Sequence, residues 1–474
     1  MSFISRPNLA LLIASISVFF EALDIAIINL TMPLIQDWFT LSFTQVQWLQ
    51  TLYVLLYGGL LILGGRLTDT LGRRKIFLTA STLFLLTSLG AGLAGSFTWL
   101  LIFRALQGIA SALLMPSALS IVSHTFTEPS ARSKAIGIFS SFAALGSGSG
   151  LSVGGLIAAG FGWQWVFFIN VPVILLTLLL AYRYLPKDTA RTEPLPDILS
   201  GLLLTLVITA LSYVVHEVGD WANKGGLLLL LTLLVAGGGW LFAKRNSTQP
   251  FPLISFPVLR RSLTPITGMA MLGATFTGYL FLISLVLQQD RQLSAAQAGL
   301  LLFPFSILSA LTGKYMLPTL LKRFSVHQTA ILGMAALLAG TLFLVYYIQS
   351  TAHPLVVLLI SILGVNSVGI ALSFSALTVL SLQPVPEAHH GLISGVNTTA
   401  YFVGGGFGLS IVSLFLDEPQ QGGQSTGILP AVILGLYALL GLVRLLVNSR
   451  KVRGRQSLSE SSSNVTNELH PERA

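Results

Sequence analysis

Three charged residues sit where charge is expensive. Glu21 and Asp24 lie three apart in an apolar run that begins at Leu9, and Arg104 lies in another, followed one turn later by Gln107 and Gly108. A spacing of three puts the two acids on neighbouring faces of one helix. Rising about 1.5 Å per residue, that helix would carry Asp24 roughly 22 Å past Leu9, into the outer half of a hydrocarbon layer about 30 Å thick. A carboxylate at that depth must face a partner or a wet cavity. Two acids that crowd each other there are suited to holding a proton or a cation and exchanging one for the other. The plainer role for Asp24 is a structural hydrogen bond, to Asn29 or to a neighbouring helix. Arg104 requires an acid or several carbonyls, and Gln107 can share its polar patch. Standing about one turn from a boundary at Trp99, Arg104 has the alternative of snorkelling to the interface.

Helices in a bilayer have to position these groups. Only 9% of the 474 residues are charged and 53% are hydrophobic, against about 25% charged in soluble domains. Such a chain cannot coat a core for water, so its apolar surface faces lipid. Fourteen apolar stretches are long enough to span: 9–31, 46–65, 76–95, 99–122, 134–158, 164–185, 197–216, 225–243, 263–288, 296–318, 327–349, 354–380, 390–416 and 427–447. The pair 197–216 and 225–243 reads either as two spans or as one re-entrant pair. The first stretch is no signal peptide, because it is too long, carries two acids and lacks a cleavage pattern.

Of the 26 Lys and Arg residues, 21 fall in one set of loops together with both termini, Lys224 and Arg291 fall in the opposite set, and Arg104, Lys314 and Arg444 lie within spans. By the positive-inside rule the termini are cytoplasmic, and the net charge of +9 needs no nucleic-acid partner. The absence of cysteine excludes disulfides and thiolate metal sites. The histidines form no ligand cluster: His353 and His216 are expected at outer boundaries, and His389 and His390 beside a cytoplasmic turn. No metal site is expected.

The chain repeats itself. Residues 57–88 and 304–340 both read as apolar helix, glycine, basic turn, apolar helix, with Gly65 and Gly313 lying 248 apart. The glycine-rich helix around 137–155 is echoed around 395–408. This gives an all-α polytopic membrane protein of two six-helix bundles, residues 1–185 and 257–447. A linker with two inserted helices occupies 186–256, and a polar tail at 448–474 is expected to be disordered.

Within GRLTDTLGRRK at 65–75, Gly65 and Gly72 permit a tight turn and Asp69 stands among Arg73, Arg74 and Lys75, able to cap a helix start or pair with an arginine. Ion pairs that break and re-form in such a loop can bias two conformers. In the second half the matching positions are Leu317 and Leu320, and only the basic pair Lys322 and Arg323 survives. GSGSGLSVGG at 146–155 places Gly146, Gly150 and Gly154 on one face, with Gly155 beside them, for close helix packing. Asn366, Asn397 and Tyr401 are polar sites within or near apolar spans and, with Gln107, are candidates to line a cavity. No phosphate loop, nucleophile triad or zinc spacing is present.

The sequence resembles the major facilitator superfamily, and within it the fourteen-helix drug:proton antiporter branch. GRLTDTLGRRK is similar to the family's loop 2–3 motif, LDIAIINLTMP at 23–33 to the helix 1 motif, RALQGIASALLMP at 104–116 to the helix 4 motif, and the Gly146–Gly155 stretch to the antiporter motif of helix 5. Two departures stand out. Leu151 replaces the proline of the antiporter motif, and Gln164 replaces an arginine in GWQWVFFINVP.

The resemblance implies a central cavity, alternating access, proton coupling through Asp24, Glu21 and Arg104, and gating by the loop around Asp69. It implies no bound cofactor, with a proton gradient as the energy source. The expected protein is a monomeric inner-membrane exporter of amphipathic or cationic small molecules, or else of one endogenous metabolite by antiport or uniport. An embedded acyl transferase would require a nucleophile or a His–acid pair, and His216–Glu217 is better read as a loop boundary. A sensor would add a soluble domain.

Overall fold

The computed structural model describes residues 6–188, 197–249, 252–350, 354–386, 390–416 and 428–468. Among them every regular element is helical, and each expected span is present as a helix. The first half comprises α1 (Arg6–Phe39), α2 (Trp48–Leu71), α3 (Arg73–Gly92), α4 (Phe97–Thr125), α5 (Pro129–Phe161) and α6 (Asn170–Tyr184). Two inserted helices follow, α7 (Ile198–Glu217) and α8 (Trp221–Thr248). The second half comprises α9 (Leu263–Leu285), α10 (Ala295–Leu311, continuing through a wide turn to Arg323), α11 (Val326–Gln349), α12 (Leu355–Ile362, widened over Leu363–Gly369, then Ile370–Leu382), α13 (His390–Ser413) and α14 (Ile428–Glu468).

Eleven helical stretches of the described residues are long and apolar enough to cross a bilayer, or twelve if the bent α5 is one span. That number takes α7 and α8 together as one 51-residue stretch and omits α13. With 20 and 28 residues, α7 and α8 are each long enough to span about 30 Å. They form an antiparallel hairpin, because Asp197 at the start of α7 accepts hydrogen bonds from Arg245 near the end of α8, Nε to Oδ2 2.9 Å.

Two boundaries differ from the sequence reading. The loop at 65–75 is almost all helix: α2 runs to Leu71 and α3 starts at Arg73, leaving Gly72 as the junction with φ 98°. Instead of ending near Val447, α14 continues to Glu468, since the Lys, Arg, Gln, Leu and Glu of the polar segment are good helix formers.

The packing follows the repeat. In the first half α1 contacts α4, α5 and α6, and α3 contacts α4 and α6; in the second half α9 contacts α12, α13 and α14, and α11 contacts α12 and α14. Two seams join the halves, α2 against α13 and α5 against α10, and the repeat exchanges them. The hairpin covers only one, with α7 lying on both α2 and α13.

With an even number of helices, both ends of the chain meet one face, here called the terminal face. At the opposite, far face the halves share a core. Phe281, Leu285 and Leu409 of the second half pack among Ile27, Leu49 and Phe167 of the first. Ser284 Oγ donates to the Asn29 carbonyl (2.6 Å), Gln288 Nε2 to that of Leu30 (3.1 Å) and Ser152 Oγ to that of Gly299 (2.8 Å). Toward the terminal face, Ser140 and Ser141 of α5 and Phe303 and Ile307 of α10 are exposed. The molecule is therefore closed at the far face.

Glycine permits the close helix contacts. A Cβ on Gly146 would lie 2.1 Å from the Phe19 carbonyl oxygen, and one on Gly154 would lie 2.7 Å from that of Ile27. The stripe therefore packs α5 on α1, not on the second half as its spacing alone allows. Gly150 also meets α1, whereas Gly155 turns to α10, 2.0 Å from the Ala295 carbonyl oxygen. The side chain of Leu151 lies outside the described residues. The helix nevertheless bends by 45° between Ser147 and Ser152, with Gly146 just before the break and Gly150 within it.

Candidate functional site

Asp24, Arg104 and Gln107 meet inside the first half. Arg104 Nη1 donates to Asp24 Oδ2 at 2.6 Å and to Gln107 Oε1 at 3.1 Å, and its Nε donates to the Leu49 carbonyl at 3.2 Å. Asp24 Oδ1 accepts from Asn170 Nδ2 at 2.8 Å, and Gln107 Nε2 donates to Ser88 Oγ at 2.9 Å, with Asn170 Nδ2 3.5 Å from the same oxygen. The result is a closed ring of hydrogen bonds through α1, α4, α3 and α6. Asp24, Arg104, Gln107 and Asn170 are all fully buried. Asp24 thus bonds to neighbouring helices and not to Asn29, and Arg104 has the acid it requires. Arg104 does not snorkel, and Asn29 donates to carbonyls of its own helix rather than to Asp24.

A buried ion pair gains little stability over a well-packed apolar pair, but losing one partner strands the other charge at a cost of about 3–5 kcal/mol. Neutralising Asp24 with a proton would release Arg104 from its main anchor and loosen α1 from α4. Arg104 has a second support, since its guanidinium lies 4.2 Å from the centroid of Tyr53 on α2.

Glu21 is one turn away on α1, buried, with Oε1 lacking a protein partner. The Tyr57 hydroxyl faces its carboxyl. From there a chain of rings crosses the seam: Tyr53 to Tyr57 at 6.2 Å between centroids, Tyr57 to Phe402 at 4.2 Å, Phe402 to Tyr401 at 5.2 Å and Tyr401 to Phe374 at 5.5 Å. Tyr401, expected to line a cavity, is thus part of a continuous aromatic path from the acid of one half to the other half. Asn366 sits in the widened part of α12 with a buried, unpartnered Nδ2. Asn397 Nδ2 lies 3.4 Å from Thr378 Oγ1, and its Oδ1 has no partner.

The motif around Asp69 lies at the terminal face. Asp69 lies in the last turn of α2, exposed. The start of α3 is capped by Asp188, whose Oδ1 and Oδ2 accept from the backbone N–H groups of Arg74 (3.1 Å) and Lys75 (3.0 Å). A Cβ on Gly72 would meet the Asp188 carboxyl at 2.4 Å, so glycine is required there both for space and for its positive φ. Arg74 donates to the Tyr182 carbonyl at 2.7 Å, Arg73 lies beside it at the start of α3, and Gly65 stands within α2, where a Cβ would come within 4.0 Å of Pro116. The loop is thereby tied to the end of α6.

Asn170, Ser88, Tyr53, Tyr57, Phe402 and Asp188 were not singled out from the sequence. For Asn170 the signal was the motif GWQWVFFINVP, in which the amide opens α6. His216, expected at a solvated boundary, is buried. His353 and His389 lie outside the described residues.

A model of the Major Facilitator Superfamily matches residues 14–409. The chain belongs to the major facilitator superfamily. It is 29% identical over 405 residues to the lincomycin resistance protein of Streptomyces lincolnensis, covering 85% of this chain and 83% of that one. To the multidrug resistance protein Stp of Mycobacterium tuberculosis (strain CDC 1551 / Oshkosh) it is 28% identical, over 87% of this chain and 76% of the relative. To the multidrug efflux pump LfrA of Mycolicibacterium smegmatis it is 29% identical, over 84% and 79%. Among solved structures, a POT family transporter in complex with a thioalcohol conjugated peptide superposes with a TM-score of 0.70 at 15% identity, covering 94% of this chain and 96% of that one. That likeness concerns the fold. This member of the superfamily is a multi-pass integral membrane transporter.

Proposed function

We propose that this chain exports amphipathic, often cationic small molecules in exchange for protons, from a bacterial inner membrane with both termini in the cytoplasm. The observation that carries the reading is the buried Asp24–Arg104 pair, closed into a ring by Gln107, Ser88 and Asn170. A proton on Asp24 removes the charge that holds Arg104, and loss of that attraction is a structural signal that a rigid bundle can transmit. Glu21, beside the aromatic seam, is the group placed to meet a cation, because an acid flanked by ring faces attracts positive, apolar ligands from two directions. The relatives named for drug and antibiotic resistance support drug-type cargo. The basic loops on the terminal face support the orientation. A single chain supplies both halves and both seams, which supports action as a monomer, and no cofactor or nucleic acid enters the cycle.

The test is transport of an ethidium-type cation in proteoliposomes with an imposed pH gradient. Wild-type protein should move the dye against its gradient only while the pH difference lasts. Asp24→Asn should abolish uphill movement, reducing it at least about 100-fold, equivalent to about 2.7 kcal/mol. Uphill transport by Asp24→Asn with unchanged pH dependence would refute the exchange mechanism.

A further inference from the structure

The aromatic path ends in hydrogen-bonding capacity that the protein leaves unused. Asn397 and Tyr401 lie four apart on α13 and so share one face of the helix. Asn397 is 1% exposed; its Nδ2 lies 3.4 Å from Thr378 Oγ1, and its Oδ1 is buried without a protein partner. Tyr401 is part-exposed, and its hydroxyl makes no hydrogen bond to any described residue. Its ring is held from two sides, by Phe374 at 5.5 Å and by Phe402 at 5.2 Å, and Phe374 is itself 37% exposed. About one turn toward the far face, a Cβ on Gly404 would lie 2.1 Å from the Ala270 carbonyl oxygen of α9, and one on Gly406 would lie 2.5 Å from Leu55 Cδ2 of α2. The part-exposed rings of Tyr401 and Phe402 therefore look into the interior between those two helices of opposite halves.

A buried acceptor costs free energy for as long as it stays unpaired. An amide oxygen and a phenolic hydroxyl on one helix face together suit an N–H or O–H donor, since both oxygens can accept. At the other end of the path stands Glu21, with Oε1 unpartnered and the Tyr57 hydroxyl facing its carboxyl. Tyr57 meets Phe402 at 4.2 Å, and Phe402 meets Tyr401. The rings thus run from an acid on the first half to a neutral hydrogen-bonding pair on the second. An apolar cation without donors would use the acid and the rings and leave that pair idle.

We propose that Tyr401 and Asn397 form a second pole of the cargo site and select aromatic cations that carry an N–H or O–H donor on the edge remote from the charge. The inference rests on the cation reading given above and narrows it. The first half meets the charge at Glu21, the rings take the flat apolar body, and the second half meets the donor. A cation that lacks the donor still binds, but it leaves the Asn397 oxygen unpaired, and a site built around a hydrogen bond discriminates against a ligand that cannot make it.

Ethidium and its analogue lacking both amino groups share charge and outline and differ in the donors. Binding to the full chain in detergent, read by fluorescence titration with no pH gradient, should favour ethidium by about fivefold or more, the worth of one hydrogen bond. Tyr401→Phe keeps the ring and its contacts and should reduce that preference. Tyr401→Phe/Asn397→Ala should erase it by weakening ethidium while leaving the analogue within about twofold of its wild-type affinity. Glu21→Gln should weaken both cations alike. The proposal is overturned if wild-type protein binds the two equally, a result that needs no variant to fold and leaves the cation reading standing. It is overturned as well if the double variant keeps the preference or loses both cations to the same degree. If neither cation binds wild-type protein, the cation reading itself fails and this inference falls with it.

Discussion

In the first half α1 meets α4 through Asp24 and Arg104, a fully buried ion pair at 2.6 Å. In the second half the corresponding helices α9 and α12 meet through Tyr279 Oη and Ser361 Oγ, also buried, at 2.9 Å, with no charge involved. The halves share their glycine packing: Gly146 on the Phe19 carbonyl and Gly404 on the Ala270 carbonyl leave the same 2.1 Å for a Cβ. Equal packing and unequal charge imply a division of labour. A neutral hydroxyl pair is inexpensive to bury and stays as it is, whereas an ion pair in hydrocarbon is costly to desolvate and is sensitive to a single proton. Under the proposed exchange mechanism, the second half serves as the frame against which the first half registers its proton.

The most disruptive test removes one charge from the pair. Arg104→Gln leaves Asp24 buried and unmatched, and should lower stability by about 3–5 kcal/mol, read as a large drop in Tm in detergent, with transport lost. Adding Asp24→Asn to that variant should recover most of the stability and none of the transport. If the double variant still pumped, the two halves would not differ in function. A smaller effect is expected at the neutral counterpart. Tyr279→Phe removes one buried hydrogen bond and should cost about 1 kcal/mol while leaving pH-driven transport within about twofold of wild type.

The smallest effect belongs to the hairpin. Burial pushes the Asp197 carboxyl up, but hydrogen bonds from Arg245 and Ser200 outweigh it and hold it below its ordinary value. A carboxyl lowered by folding contributes stability above the ordinary carboxylate range and loses it as pH falls through the lowered value. Asp197→Asn should therefore reduce Tm slightly at neutral pH, by the equivalent of less than about 1 kcal/mol because Arg245 is partly exposed. The difference should close as the pH falls below the ordinary carboxylate range.

Much of this architecture was legible in the residues. Fourteen apolar stretches became fourteen helices because backbone groups in lipid have no other way to satisfy their hydrogen bonds. Glu21, Asp24 and Arg104 stood out because charge within such stretches demands a reason. The identity of their partners was not legible. Asn170 and Ser88 are neutral residues of ordinary type, and nothing in their local spacing marks them as the other half of a ring closed across 146 residues of chain. Asp188 lay in what read as a linker, and its role depends on where α6 happens to end. His216 looked like a loop boundary because the covering helix that buries it, α7, contacts α2 and α13 only in three dimensions. The glycine stripe announced close packing but could not name the neighbour, since three of its members face α1 and Gly155, one position on, faces α10.

The placement of the inserted hairpin also bears on routes through the membrane. It packs on the seam between α2 and α13 rather than on the one between α5 and α10. In a protein built from near-duplicate halves, a solute dissolved among acyl chains would otherwise find two equivalent side doors. Here the inserted hairpin stands over one flank, so a solute arriving from lipid would meet two different seams rather than two alike.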